Sequence, residues 1–336
     1  MTGTPDGGLG DERVLIVGAG SLGTVYGAYL ARSGLDVQLF AREPHARAIQ
    51  EAGAVELVSP DGVESVALAA DWRPERIEPA DLAIVLCKTP DTATVLAELD
   101  HLRGTPRLAV SLQNGIDDDG VLSAWAGADA VIGGVSMVGG TLEAPGRVRH
   151  TLPGPTFVGE TPNGISPRVE RFGELLEASG LPAEVTDRIA SVEWSKLVHA
   201  SPSMALTALT RRWFHEVFIA PELAELFLDL VLEGVAVAAA EGVAVDDWPS
   251  LLPLRTLSEL PREEALDRIH AHGRHLEELG STRIRISMLQ SVERGRRTEV
   301  EALHGALVRA AGRRGIEVPV TRTCYHMLAG LDRFAT

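Results

Sequence analysis

Of the 31 lysine and arginine residues in this chain, only two are lysine, Lys88 and Lys196. A desolvated ammonium can give up a proton at an accessible pKa, which a guanidinium cannot do. A lysine retained in so arginine-biased a sequence is therefore a candidate for proton chemistry. Asparagine is as scarce, with Asn114 and Asn163 alone. A second chemical signature lies near the start, where Gly18-Ala19-Gly20-Ser21-Leu22-Gly23 fits G-x-G-x-x-G. The first glycine of such a loop permits a tight turn, the second lets backbone approach a pyrophosphate, and the third lets helix and strand pack closely. The helix that follows offers free N–H groups and the positive end of its dipole. Gly18, Gly20, Ser21, Leu22 and Gly23 are thus candidates for binding a dinucleotide.

That reading holds only if the loop joins a strand to a helix. Residues 13–18 (RVLIVG) form a short apolar run closing on glycine, a buried parallel strand, and residues 21–33 follow with helical spacing. Further strands are expected at 36–41, 81–87, 108–112 and 130–133, with helices near 43–52, 90–100 and 117–125 between them. Strand-like pieces at 146–150 and 156–159 are expected to extend the sheet edge. This alternation predicts a doubly wound, mostly parallel sheet, an α/β Rossmann domain. From about residue 187 the periodicity is helical, at 188–210, 220–242, 262–278 and 295–314, which predicts an all-α C-terminal domain. Residues 1–12 read as a frayed leader, 13–185 as the nucleotide domain and 186–336 as the helical domain. Pro202 should kink its helix or break one backbone bond. The proline-rich segment 248–262 is expected to be a packed loop, with a lid or dimer contact as alternatives.

The end of the second strand selects the cofactor. NAD enzymes usually place a carboxylate there for the ribose 2′-hydroxyl, whereas this chain reads Leu39-Phe40-Ala41-Arg42. Arg42 can pair with a 2′-phosphate, so the expected cofactor is NADP(H). The formal net charge of −16 argues against nucleic acid or an anionic membrane as partner. No run reaches the roughly 18–20 apolar residues of a membrane helix. Two cysteines, Cys87 and Cys324, make neither a disulfide framework nor a metal cage, and fit a reducing cytoplasm. Nothing in the sequence decides for or against a homodimer.

The remaining motifs run in a recognisable order: GAGSLG, then CKT at 87–89, QNG at 113–115, WSKL at 194–197 and SMLQSVERGRRTEVEALHG at 287–305. In this the chain resembles the ketopantoate reductases (2-dehydropantoate 2-reductases) over nearly its whole length. The resemblance implies a Rossmann domain and a helical domain with the active site in the cleft between them. It implies reduction of a 2-keto acid to the 2-hydroxy acid by NADPH, in pantothenate biosynthesis. By position, Lys196 matches the catalytic lysine and Glu299 the essential glutamate. Ser287 matches a substrate-binding serine, and Lys88 and Asn114 match the lysine and asparagine that serve substrate and cofactor. The chemistry agrees, because an ammonium beside a carbonyl oxygen can stabilise and protonate the charge that hydride addition creates.

Two departures stand out. The family's asparagines four and eight residues beyond the catalytic lysine are here Ala200 and Met204, which makes that wall apolar; His199, Ser201 and Ser203 are the neighbours that could compensate. The family's SMLQD ends here in Ser291. Three readings therefore stand: reduction of ketopantoate or a close relative, reduction of a more apolar keto acid in a specialised pathway, and a catalytically silent NADP-binding sensor.

Overall fold

The structure, a computed structural model, describes residues 12–116, 119–282 and 284–335, so the leader reading for residues 1–11 lies outside it. Contacts divide the chain into two units, Met1–Gln113 with Asp118–Ile189, and Asn114–Asp117 with Ala190–Thr336. Ile189 falls with the first unit, beyond the boundary expected at 185. Its side chain packs so closely on Gly159 that a Cβ there would meet Ile189 at 2.9 Å.

The first unit opens with β1 (Arg13–Val17), α1 (Ser21–Arg32), β2 (Asp36–Phe40) and α2 (Glu43–Ala52). A hairpin of β3 (Ala54–Ser59) and β4 (Gly62–Ala67) precedes the short β5 (Ala69–Asp71). Then come β6 (Leu82–Val85), α3 (Thr92–Glu98), β7 (Leu108–Ser111), α4 (Asp119–Ala126), β8 (Val131–Ala144), β9 (Arg147–Gly159), α5 (Pro167–Ser179) and β10 (Ala183–Val185). The strands form one sheet in the order β4-β3-β9-β8-β7-β6-β1-β2-β5, with β10 beside β9. Within it β5-β2-β1-β6-β7-β8 are parallel throughout, the strand order of a dinucleotide-binding fold. The order reverses between β1 and β6, and the crevice beyond the carboxyl ends of those strands is where such folds bind ligands.

Two sequence expectations need correction here. The pieces at 146–150 and 156–159 are one strand, β9, which lies inside the sheet between β8 and β3. The β8–β9 pair is an antiparallel hairpin with register shifts, which interrupts the alternation a regular strand would show. Helix α5 was not anticipated, although Pro167 starts it, Gly180 at φ 89° ends it, and Val169, Phe172, Leu175 and Leu176 form its buried face.

The second unit contains α6 (Ile189–Thr210) from its second residue on, α7 (Glu216–Ile219), α8 (Pro221–Ala240), α9 (Leu254–Glu259), α10 (Arg262–Glu278), α11 (Ser287–Glu293), a π-helical turn (Glu301–Gly305), α12 (Ala306–Arg314) and α13 (Pro319–Asp332). Its core is built around Phe218 and Phe227, edge to face at 5.1 Å, with Leu228, Val231 and Leu307. Each fully buried side chain of this size contributes about 1.5–3 kcal/mol. Segment 248–262 is packed, because Leu252, Leu254 and Leu257 are buried and α9 forms within it. The helix expected from 295 begins only at 301, as a π turn. Helix α6 continues through Pro202. Among the described residues no helix is long and apolar enough to cross a membrane.

Candidate active site

The glycine loop joins β1 to α1, and its glycines have distinct surroundings. Gly18 takes φ 87°, and a Cβ there would overlap the backbone of Cys87 just beyond β6. Gly23 faces the Gly18 carbonyl oxygen, 2.9 Å from where its Cβ would stand. Gly20 is exposed and its missing Cβ would meet nothing within 4 Å. Only the middle glycine therefore leaves open space, at the point where backbone must come near a pyrophosphate. Gly20 is also the N-cap of α1 and supplies no side-chain cap. By helix geometry the N–H groups of Ser21, Leu22 and Gly23 have no partner within α1. The Ser21 hydroxyl oxygen accepts the N–H of Leu142 on β8 at 3.0 Å, which ties the helix start to the sheet. The loop fits a dinucleotide on these grounds.

The end of β2 is held against this loop, since the N–H groups of Gly18 and Ala19 both donate to the Phe40 carbonyl. Arg42 follows as the N-cap of α2, its side chain 78% exposed and paired with Asp91 at 3.2 Å. Lys88 lies exposed just past β6, at the start of the short turn Thr89–Asp91. Gln113, which sequence reasoning gave no role, holds this turn in place. Its Nε2 donates to the Cys87 carbonyl at 2.6 Å and to Thr92 Oγ1 at 2.7 Å, while Ser111 Oγ donates to its Oε1 at 3.0 Å. Its place in the QNG run was the available signal.

The second unit carries the other candidates. Along the middle of α6, Lys196, Ala200 and Met204 are half-buried, whereas Leu197, Val198, Ser201, Ser203 and Ala205 are buried. The i, i+4, i+8 spacing makes the first three one accessible stripe. Burial pushes the Lys196 ammonium down to about 8, and the carboxylate of Glu299 opposes that shift. Glu299 is 7% exposed and accepts the Asn114 side-chain N–H at 3.3 Å. Asn114 thus belongs with the helical unit by its contacts, although its strand-end position suggested the Rossmann half. Ser287 opens α11, and its Oγ is buried with no hydrogen-bond partner among the described residues.

What positions Glu299 could not be read from the sequence. Thr298 donates from its N–H and its hydroxyl to the Asp332 carboxylate at the end of α13, at 2.9–3.1 Å. Its hydroxyl oxygen then accepts the N–H of Val300. The π turn begins two residues past Glu299, with Gly305 N–H donating to the Val300 carbonyl. Such turns are rare and cluster at functional sites. The three possible compensators on α6 differ in their surroundings. His199 packs edge-on against Phe227 at 6.4 Å, and burial, helped by His272, pushes it down to about 4, so it is neutral at pH 7. Ser203 donates to the His199 and Ala200 carbonyls, near the break that Pro202 makes in the ladder. Ser201 Oγ is buried without a partner among the described residues.

Comparison with known proteins identifies the family of the chain. The family model described as ketopantoate reductase PanE/ApbA matches residues 14–163, and that for the C-terminal part of the same family matches 188–332. A 2-dehydropantoate 2-reductase of Archaeoglobus fulgidus is 31% identical over 96% of this chain and 98% of its own. The crystal structure of a PanE/ApbA family ketopantoate reductase from Ralstonia eutropha superposes with a TM-score of 0.80, at 27% identity over 96% of this chain and 98% of that one. A ternary structure of D-mandelate dehydrogenase with NADH and anilino(oxo)acetate shares the fold, with a TM-score of 0.82 at 20% identity over 96% and 98% of the two chains. The chain belongs to the ketopantoate reductase family, and is by that membership an oxidoreductase acting on a CH–OH group.

Proposed function

We propose that the protein reduces a 2-keto acid to the 2-hydroxy acid with NADPH, with Lys196 as the general acid. The observation that carries the reading is the half-buried ammonium of Lys196, lowered to about 8 and within the electrostatic reach of the Glu299 carboxylate. An acid poised near the working pH is the one that transfers protons best. When bound, the reduced nicotinamide supplies the hydride for C2 of the keto acid. Lys196 stabilises the charge that develops on the carbonyl oxygen and gives it the Nζ proton. Glu299 keeps the ammonium charged and, held by Asn114, oriented. Ser287 Oγ, buried without a protein partner among the described residues, is a donor for the substrate carboxylate.

Gly18, Gly20 and Gly23 shape the nucleotide site, and the N–H groups of Ser21 and Leu22 at the start of α1 would receive the pyrophosphate. Lys88, at the end of β6, is a further cation for cofactor or substrate phosphate and carboxylate groups. Arg42 at the end of β2, with no carboxylate in the strand-end position, supports NADPH over NADH. Its present partner Asp91 is exposed, and an exposed pair of this kind is worth at most about 1 kcal/mol, so a 2′-phosphate can displace it.

A second reading is favoured by one observation. The stripe beyond Lys196 consists of Ala200 and Met204, which offer a substrate hydroxyl no side-chain partner. A hydroxyl left unpaired in a site costs discrimination against substrates that lack it. On this reading the preferred keto acid carries an apolar side chain. Oxidation of NADPH by the purified protein, with ketopantoate and with an apolar 2-keto acid in parallel, tests both: turnover of neither removes the 2-keto-acid reading, and their order of kcat/KM decides between the two.

A further inference from the structure

A histidine that this chemistry does not use is wired to the nucleotide loop. His45, on α2, is 5% exposed. The N–H of Gly146, in the β8–β9 turn, donates to its Nδ1 at 3.0 Å. A backbone N–H only donates, so Nδ1 carries a lone pair and the proton of the neutral ring lies on Nε2. Nε2 is 2.9 Å from Thr24 Oγ1, and its N–H therefore donates there. The Thr24 hydroxyl in turn donates to the Gly20 carbonyl at 2.6 Å. The sequence of donors has a single sense, from Gly146 through His45 and Thr24 to Gly20. Burial pushes the His45 imidazole below its ordinary range, which keeps the ring in the neutral form that this sense requires.

The end of the relay is the middle glycine of the loop. The Gly20 carbonyl also accepts the backbone N–H of Thr24 at 3.0 Å. The peptide joining Gly20 to Ser21 is planar and trans, so its C=O and N–H point in opposite directions. Holding the carbonyl inward aims the Ser21 N–H outward, beside the Cα of Gly20 whose surroundings are open.

We propose that His45 is a positioning residue for the dinucleotide: as the Nε2–H tautomer it fixes, through Thr24, the Gly20–Ser21 peptide in the orientation that presents its N–H to the pyrophosphate. The inference rests on the reading of this loop as the nucleotide site.

The test titrates NADPH into the full-length protein and its variants and reads Kd from nicotinamide fluorescence, with Tm and the keto-acid KM measured alongside. His45→Gln keeps an N–H near the Nε2 position, His45→Asn keeps a polar group only on the Nδ1 side, and His45→Phe keeps neither. Thr24→Val removes the middle link with little change of shape. The expected result is a loss of about 3- to 10-fold in NADPH affinity for His45→Asn, His45→Phe and Thr24→Val, the value of one hydrogen bond. His45→Gln should bind close to wild type, and the keto-acid KM should not follow the loss. His45→Phe combined with Thr24→Val should bind no more weakly than either alone, because one chain of bonds carries both. NADPH affinity unchanged in His45→Phe and Thr24→Val, whatever happens to Tm, would overturn the proposal, as would additive losses in the double variant. Wild-type protein that binds neither NADPH nor NADH would remove the nucleotide-site reading itself, and the relay's role with it.

Discussion

Lys196 should set the pH dependence of the reaction. A general acid works only while protonated, and burial lowers this ammonium from 10.5 to about 8. With that value about nine-tenths of the sites carry the proton at pH 7 and about one-tenth at pH 9. An unperturbed lysine would still be about 97% protonated at pH 9. Saturating kcat for keto-acid reduction should therefore fall about tenfold between pH 7 and pH 9, and oxidation of the 2-hydroxy acid should rise through the same range. Glu299 is the group that opposes the shift. Glu299→Gln leaves desolvation unopposed, so the inflection should move to lower pH while kcat falls. Steady-state kinetics from pH 6 to 10 on both proteins read this directly. A profile flat to pH 10, or an inflection that stays in place or moves upward in Glu299→Gln, would show that Lys196 is not the titrating acid. Stability carries the same sign. The folded pKa lies below the unfolded one, so the ammonium costs stability below about 8, and the cost fades as pH rises toward 10.5. Lys196→Met should then raise Tm at pH 7, with a gain in stability of at most about 3–4 kcal/mol for the fall from 10.5 to about 8.

The glycine loop and Arg42 give two further expectations. Gly20→Val meets open space and should leave Tm nearly unchanged while abolishing NADPH binding, whereas Gly18→Ala, which would drive a Cβ into the Cys87 backbone at φ 87°, should unfold or strongly destabilise the protein; paired thermal melts and NADPH titrations separate the two, and a Gly20→Val protein that binds normally would remove the pyrophosphate from this loop. Arg42→Ala should weaken NADPH far more than NADH, and Asp91→Asn, which frees the arginine, should favour NADPH further; equal changes for both cofactors would remove the 2′-phosphate argument.

Much of this was legible in the sequence because each signal was local. The apolar run at 13–17 closing on Gly18 pointed to the first strand and its loop, and the scarcity of lysine singles out Lys88 and Lys196 as candidates only. The parts that were not legible depend on distant partners. Nothing near Thr298 announces that Asp332 will hold it, and nothing near His45 announces Thr24 and Gly146. Strand β9 read as two edge fragments because its pairing with β8 slips register, so its inward and outward residues do not alternate cleanly. Helix α5 has its end signals in Pro167 and Gly180, but the buried face that makes it a helix is packed by tertiary contacts. The affinity of Asn114 for the helical unit is a tertiary fact, made by its bond to Glu299 across a long span of chain.

NADPH oxidation at pH 7 by wild-type protein and Lys196→Met tests NADPH-dependent reduction of a 2-keto acid, with Lys196 as proton donor, most directly. The wild type should show kcat/KM in the ordinary enzyme range, about 10⁴ M⁻¹s⁻¹ or above, with ketopantoate or an apolar 2-keto acid. In the variant kcat should fall by several orders of magnitude, with NADPH still bound. Turnover retained in Lys196→Met, or wild-type protein that binds NADPH and reduces neither class of keto acid, would contradict this reading.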